Sequence, residues 1–219
     1  MSLRSAAERT ARLPARWVLS LAFVCGLALT TLFVAAPAVA SAEGRSSQFI
    51  ERLGRDAITV LSDEALSREA RLAGFRQLLR DGFALEAIGR FVLGRHWTQA
   101  SAEQRAAFLT AFEDFIVNSY AARFTQYAGE SLRVLDERAD GESGHAVNTQ
   151  ILRPSAPPIL VQWRVRDAEA GPKIVDVVIE GVSLVITQRS EFASVIQQNG
   201  GRLDLLIEQL RQKSTAAQR

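Results

Sequence analysis

Asp176 and Glu180 are the one pair of side chains in this sequence whose type and spacing invite acid–base chemistry. They stand four residues apart in the β-branched run from Ile174 to Ile186, so on a strand both point to the same side. A carboxylate inside an apolar hollow has its pKa raised and can exchange protons with a substrate. A carboxylate beside an arginine, with Arg90, Arg164 and Arg189 as candidates, is a paired charge, and that is the reading we prefer. The other chemistry-bearing residues form no set. His96 and His145 are the only histidines; His96 follows the helix-stopping Gly94, where a cation suits the helix dipole, and His145 lies beside turn residues. Ser183, in Gly181-Val182-Ser183-Leu184-Val185, lacks the second glycine of a nucleophile elbow, and a strand runs through it. The single cysteine, Cys25, falls in an apolar leader, which excludes a thiolate metal site. The sequence contains no phosphate loop and no glycine-rich dinucleotide turn. It therefore predicts no catalytic residue, no metal ligand and no cofactor, and the protein is not expected to be an enzyme.

The elements that position these residues follow from hydrophobic period. Lys173 to Ile186 has no proline and is apolar on both faces, which predicts one long central strand, with Gly181 marking a bulge or a close backbone approach. Ser190-Glu191-Phe192 then opens a helix, with Ser190 as N-cap. Upstream, Phe49, Ile50, Leu53, Ala57, Ile58 and Leu61 recur at three- and four-residue steps. Ser62-Asp63-Glu64 offers caps for a second helix, which carries Leu66, Ala70, Ala73, Leu78 and Leu79 and ends at Asp81-Gly82. A third spans about Leu85 to Leu93 and stops at Gly94. Ser101-Ala102-Glu103-Gln104 fits a capping box and starts a long helix to about Tyr127. Beyond Gly129 the period becomes two, giving strands around Leu132–Val134, Val147–Ile151 and Val161–Val165, with Pro154 to Pro158 as a loop. Two short helices, about Ser190 to Gln198 and Leu203 to Gln212, close the chain around Asn199-Gly200-Gly201. The predicted class is α+β: N-terminal helices and a long helix packed on a curved, mostly antiparallel four-stranded sheet, closed by C-terminal helices.

Three stretches in order carry a family resemblance: Lys173-Ile174-Val175-Asp176-Val177-Val178-Ile179-Glu180-Gly181 running on to Arg189-Ser190-Glu191-Phe192, the step Ile88-Gly89-Arg90-Phe91-Val92-Leu93-Gly94-Arg95-His96-Trp97, and the helix bearing Phe108, Phe112, Phe115 and Tyr120. From about Phe49 to Lys213 the chain resembles the MlaC-like periplasmic phospholipid-binding proteins, also called toluene-tolerance proteins. Phe83-Ala84 departs from the Phe-Asp pair expected there, so any role of that acid is missing.

The first forty residues stand outside this fold. Arg4, Arg9, Arg12 and Arg16 precede an uncharged apolar run, Trp17 to Ala36, and small residues follow at Ala38-Val39-Ala40 and Ala40-Ser41-Ala42. This is the pattern of a cleaved secretory signal peptide; an uncleaved membrane anchor is the alternative. Removing 1–40 takes four arginines and Glu8 with it. The alkaline pI of 9.1 thus belongs largely to the leader, the mature chain is near neutral, and nothing points to nucleic acid. Without a cysteine, the mature chain must be held by an ordinary core. The expected domains are the signal peptide at 1–40, one α+β domain at 41–213 and a flexible tail at 214–219, with the protein in the periplasm.

Apolar side chains are abundant. The long helix offers Phe108, Phe112, Phe115, Ile116 and Tyr120; the step before it offers Phe91 and Trp97. The sheet offers Val147, Ile151, Val161, Trp163, Val165, Val177 and Ile179. From composition these make a core. The resemblance implies instead a deep apolar pocket that takes acyl chains and leaves the headgroup at its mouth, which makes these fourteen residues candidate lipid-binding positions. It implies a carrier of phospholipid, or of a hopanoid in a close variant. Its partners would be an outer-membrane lipoprotein complex and an inner-membrane ABC transporter with a lipid-channel ring, and the carrier itself would be a monomer. Two other classes compete: a small cone-shaped α+β enzyme using Asp176 or Glu180, and a pocketless envelope assembly protein. Arg133, Arg164 and Arg166 lie on the outward sheet face as solvated charges.

Overall fold

The computed structural model describes residues 44–124 and 129–216; the leader and the end of the long helix toward Tyr127 lie outside them. Helices form where the apolar stripe is capped. α1 (Arg45–Ser62) buries Ile50 and Leu61. α2 (Arg68–Gly82) begins on Ser67, whose hydroxyl accepts the Ala70 amide, rather than on Ser62-Asp63-Glu64. The two lie close because Gly74 has no side chain: a Cβ there would stand 2.6 Å from Val60 Cγ1. α3 (Leu85–Leu93) stops at Gly94. Arg95–Gln99 then forms one further short helix, α4, so His96 is a helical residue and not the cation closing α3. α5 (Ala102–Phe124) starts on the expected capping box: Ser101 Oγ accepts the Gln104 amide at 3.2 Å, and Gln104 Oε1 accepts the Ser101 amide at 3.1 Å.

Among the described residues the sheet has five strands where four are expected: β1 (Ser131–Ala139), β2 (Gly144–Arg153), β3 (Ala156–Ala168), β4 (Gly171–Ile179) and β5 (Val182–Ser183). They run in sequence order, each antiparallel to the next. The sheet stays open. The fifth strand arises because Glu180 and Gly181 both take positive φ, +48° and +81°, the two-residue turn that matches strand twist. The chain therefore reverses at Gly181. It neither bulges there nor continues as one long strand, and Val182 and Ser183 pair back onto Ile179 and Val178. The registers shift elsewhere, at Leu135 on β1, at Val175 on β4, and between Ile151 and Arg153 where β2 meets the start of β3. The Leu135 bulge turns Glu137, rather than Asp136, toward the inner face. Its Oε2 accepts the Gly44 and Ser47 amides at 3.1 and 2.8 Å, which caps α1 and ties it to β1.

α6 (Leu184–Gln198) begins on Ser183, which accepts the Ile186 amide; Ser190, the expected N-cap, lies inside the helix. α7 (Leu203–Ala216) runs past Gln212 and buries Ser214, to which Asn118 Nδ2 donates at 2.7 Å. Two cores result. Phe108, Phe112 and Phe192 form a ring cluster at 5.5–5.9 Å between centroids, packed among α3, α6 and α7. Ile50 of α1 closes over Val147, Val165 and Ile174 of the sheet. Polar side chains are linked across the outer sheet face: Gln162 donates to Asn148, which donates to Asp136, and Arg133 donates to Gln150.

Candidate functional site

Between the helices and the inner sheet face lies a partly open cavity of about 370 Å³. α1 contributes Ile50, Leu53, Gly54 and Ala57, α2 contributes Phe75, Leu78 and Leu79, and α3 contributes Leu85, Ile88 and Val92. α5 supplies Phe112, Phe115, Ile116 and Tyr120, and the sheet supplies Ile151, Val161, Trp163, Val177 and Ile179. Leu184, Val185 and Gln188 of α6 complete it, with Asp176. The wall is hydrocarbon apart from Tyr120, Trp163, Asp176 and Gln188. Such a surface binds by excluding water, not by matching a charge.

Nine of the fourteen expected positions stand on this wall: Phe112, Phe115, Ile116, Tyr120, Ile151, Val161, Trp163, Val177 and Ile179. Five do not. Phe108 is fully buried against Phe112 and Phe192. Trp97 is buried in the helical core under the Arg105 guanidinium, which sits 5.5 Å from its ring and donates to its carbonyl at 2.9 Å. Val147 and Val165 do face inward, but Ile50 covers that end of the sheet and makes it core. Phe91 is 44% exposed: it falls outside the Leu85–Ile88–Val92 stripe and stacks on Arg189, 4.7 Å from its ring centroid.

The two carboxylates do not form a site. Asp176, 7% exposed, borders the cavity, yet both oxygens hold the start of α6. Oδ2 accepts the Ser183 hydroxyl at 2.7 Å, Oδ1 accepts the Val185 amide at 3.2 Å, and Arg164 Nη1 stands 3.9 Å away. Glu180 sits in the exposed turn and accepts the Leu160 amide at 2.6 Å. Elsewhere, burial pushes the Glu137 carboxyl up, but hydrogen bonds from Ser47 and Gly44 with the nearby His145 outweigh it and hold it below the usual value. Glu113 behaves alike: burial raises it, and Arg80 and Arg76 pull it below the usual range, pinning α2 on α5. His96 is lowered by burial and by Arg95. Among the described residues no three His, Cys, Asp or Glu side chains converge as a metal site would require.

A family model described as MlaC protein matches residues 51–212. The chain belongs to the MlaC family. It is 27% identical over 135 residues to the intermembrane phospholipid transport system binding protein MlaC of Haemophilus influenzae, a match covering 60% of this chain and 62% of that relative's length. Its fold is similar to that of a phospholipid-binding protein from Ralstonia solanacearum solved in complex with a phospholipid. The TM-score there is 0.70 at 20% identity, over 81% of this chain and 100% of the other.

In this MlaC-family chain the α1 and α2 walls are what the period did not assign. Leu53, Ala57, Leu78 and Leu79 are visible as helical stripes, but a stripe does not say whether it meets protein or a cavity. Leu184 and Val185 were hidden inside what reads as a continuous strand.

Proposed function

We propose that this protein is a periplasmic carrier that holds a phospholipid by its acyl chains in the cavity and shuttles it between an outer-membrane complex and an inner-membrane transporter. The observation that carries this is the cavity wall, supplied by α1, α2, α3, α5, α6 and the sheet and almost entirely hydrocarbon. Two chains of roughly fifteen methylenes, at about 0.8 kcal/mol each, oppose passage through water by about 25 kcal/mol. A carrier removes that barrier by offering an interior about as apolar as the bilayer, with no catalytic group and no headgroup recognition. Asp176 and Glu180, each engaged in holding the backbone, suit a protein that does no chemistry. The names of the Haemophilus and Ralstonia proteins, a phospholipid transport component and a phospholipid-binding protein, point the same way. The signal-peptide pattern at 1–40 supports the periplasm, and the family resemblance supports the two membrane complexes as partners.

The volume is near the lower end of pockets that enclose one drug-sized ligand, so a diacyl lipid enters by parting the walls. The same volume favours a compact polycycle, a hopanoid, as the second ligand to test. The test is transfer of a labelled phospholipid between donor and acceptor liposomes. The wild type should accelerate it. Val177→Trp, which puts an indole into the cavity, should weaken retention about tenfold if it displaces two methylenes. Equal transfer by both proteins would remove the cavity from the account.

A further inference from the structure

Trp163 poses a problem that the cavity wall must solve. Its indole is the largest side chain that the sheet contributes to the cavity lining, but its N–H needs a partner that no acyl chain can supply. The partner lies behind the wall. Thr149, at the centre of β2, is 0% exposed and does not line the cavity. Its hydroxyl accepts the Trp163 Nε1–H at 3.0 Å and donates to the Val161 carbonyl at 3.1 Å. Val161 is its direct cross-strand partner, and Trp163 is its diagonal neighbour, opposite Val147, within the reach of a long side chain across an antiparallel pair. A threonine in a strand has a stiff χ1, so the hydroxyl is fixed and the indole is fixed with it.

We infer that Thr149 is the positioning residue of the cavity. By drawing the Trp163 N–H into the sheet it keeps this wall apolar, and it sets the width of the slot offered to an acyl chain. This role rests on the lipid-carrier reading above. Asp176 and Gln188 lie on the β4–α6 side, so Thr149 removes the one polar atom that β3 would otherwise present to the ligand.

The experiment uses lipid-stripped protein and cis-parinaric acid, a single-chain fluorescent probe. Thr149→Val keeps the shape and removes both bonds; its dissociation constant should rise roughly five- to tenfold. Thr149→Ser restores the hydroxyl and should lie within about twofold of wild type. In a Trp163→Phe background, Thr149→Val should add less than about twofold, because the group it positions is gone. Binding by Thr149→Val as tight as wild type overturns the inference, and so does a weakening that persists in full beside Trp163→Phe, since the effect is then structural. If Thr149→Val does not fold, the wild type still decides. Its Trp163 indole proton should exchange slowly with or without probe, and rapid exchange in the stripped protein overturns the inference. A wild type that takes up no probe overturns the carrier reading instead, and this role with it.

Discussion

Asp176→Asn separates a carboxylate that holds structure from one that does chemistry. Asparagine keeps the volume and the acceptor for the Val185 amide. It places a second donor where Oδ2 accepts the Ser183 hydroxyl at 2.7 Å. Ser183 still accepts the Ile186 amide at 3.1 Å, but its own proton loses its acceptor. A hydrogen bond to a charged group contributes about 1.5–3 kcal/mol. The Arg164 contact, at 3.9 Å and with that side chain 42% exposed, adds less than about 1 kcal/mol. The expected loss is about 2–3 kcal/mol, a fall in Tm of about 4–12 °C for a domain of this size. The assay is urea unfolding with an unchanged m value, beside Ser183→Ala and the double variant. The two substitutions should be non-additive by at least about 1 kcal/mol, because they remove one shared bond. Lipid bound per folded molecule should not change. A loss below about 0.5 kcal/mol, or simple additivity, would refute the role of Asp176 as the tie between β4 and α6.

Two further outcomes follow from the site. Glu137 has a folded pKa below its ordinary value of 4.5, so its cap on α1 is fully present above that value and is lost as pH falls through the lower, folded one. Between about pH 6 and pH 3 the stability gap between wild type and Glu137→Gln should therefore shrink; a gap that stays constant or widens contradicts the cap. Phe91→Ala should leave lipid retention unchanged and cost about 0.5–1 kcal/mol in stability, the worth of an exposed cation–π contact with Arg189; a drop in retention would return Phe91 to the ligand path.

Most helices are legible because their signals are local. Ser101 and Gln104 announce the start of α5, Gly94 the end of α3, and the Ile50–Leu53–Ala57 stripe the length of α1. The sheet fails to read at one dipeptide. Asn-Gly or Asp-Gly would signal a hairpin, but Glu180-Gly181 is preceded by Val177-Val178-Ile179 and followed by Val182-Ser183-Leu184-Val185-Ile186, and β-branching carries the apparent strand through the turn. That one miss conceals β5, the true N-cap Ser183, and the α6 wall of the cavity. The bulge at Leu135 is equally silent, so nothing in the sequence announces Glu137 as the cap of α1. Strand period does put Val147, Ile151, Val161, Trp163 and Val165 on one face. Which of them meet the cavity and which are covered over depends on where α1 crosses, a tertiary fact with no local trace.

The most direct test of the central claim is mass spectrometry of the purified protein, first native and then after denaturation and organic extraction. The account predicts a mass excess of about one lipid per chain that disappears on extraction, with a diacyl phospholipid in the extract, or a hopanoid if the compact ligand prevails. A protein that purifies without lipid, and still carries none after incubation with liposomes, would contradict it.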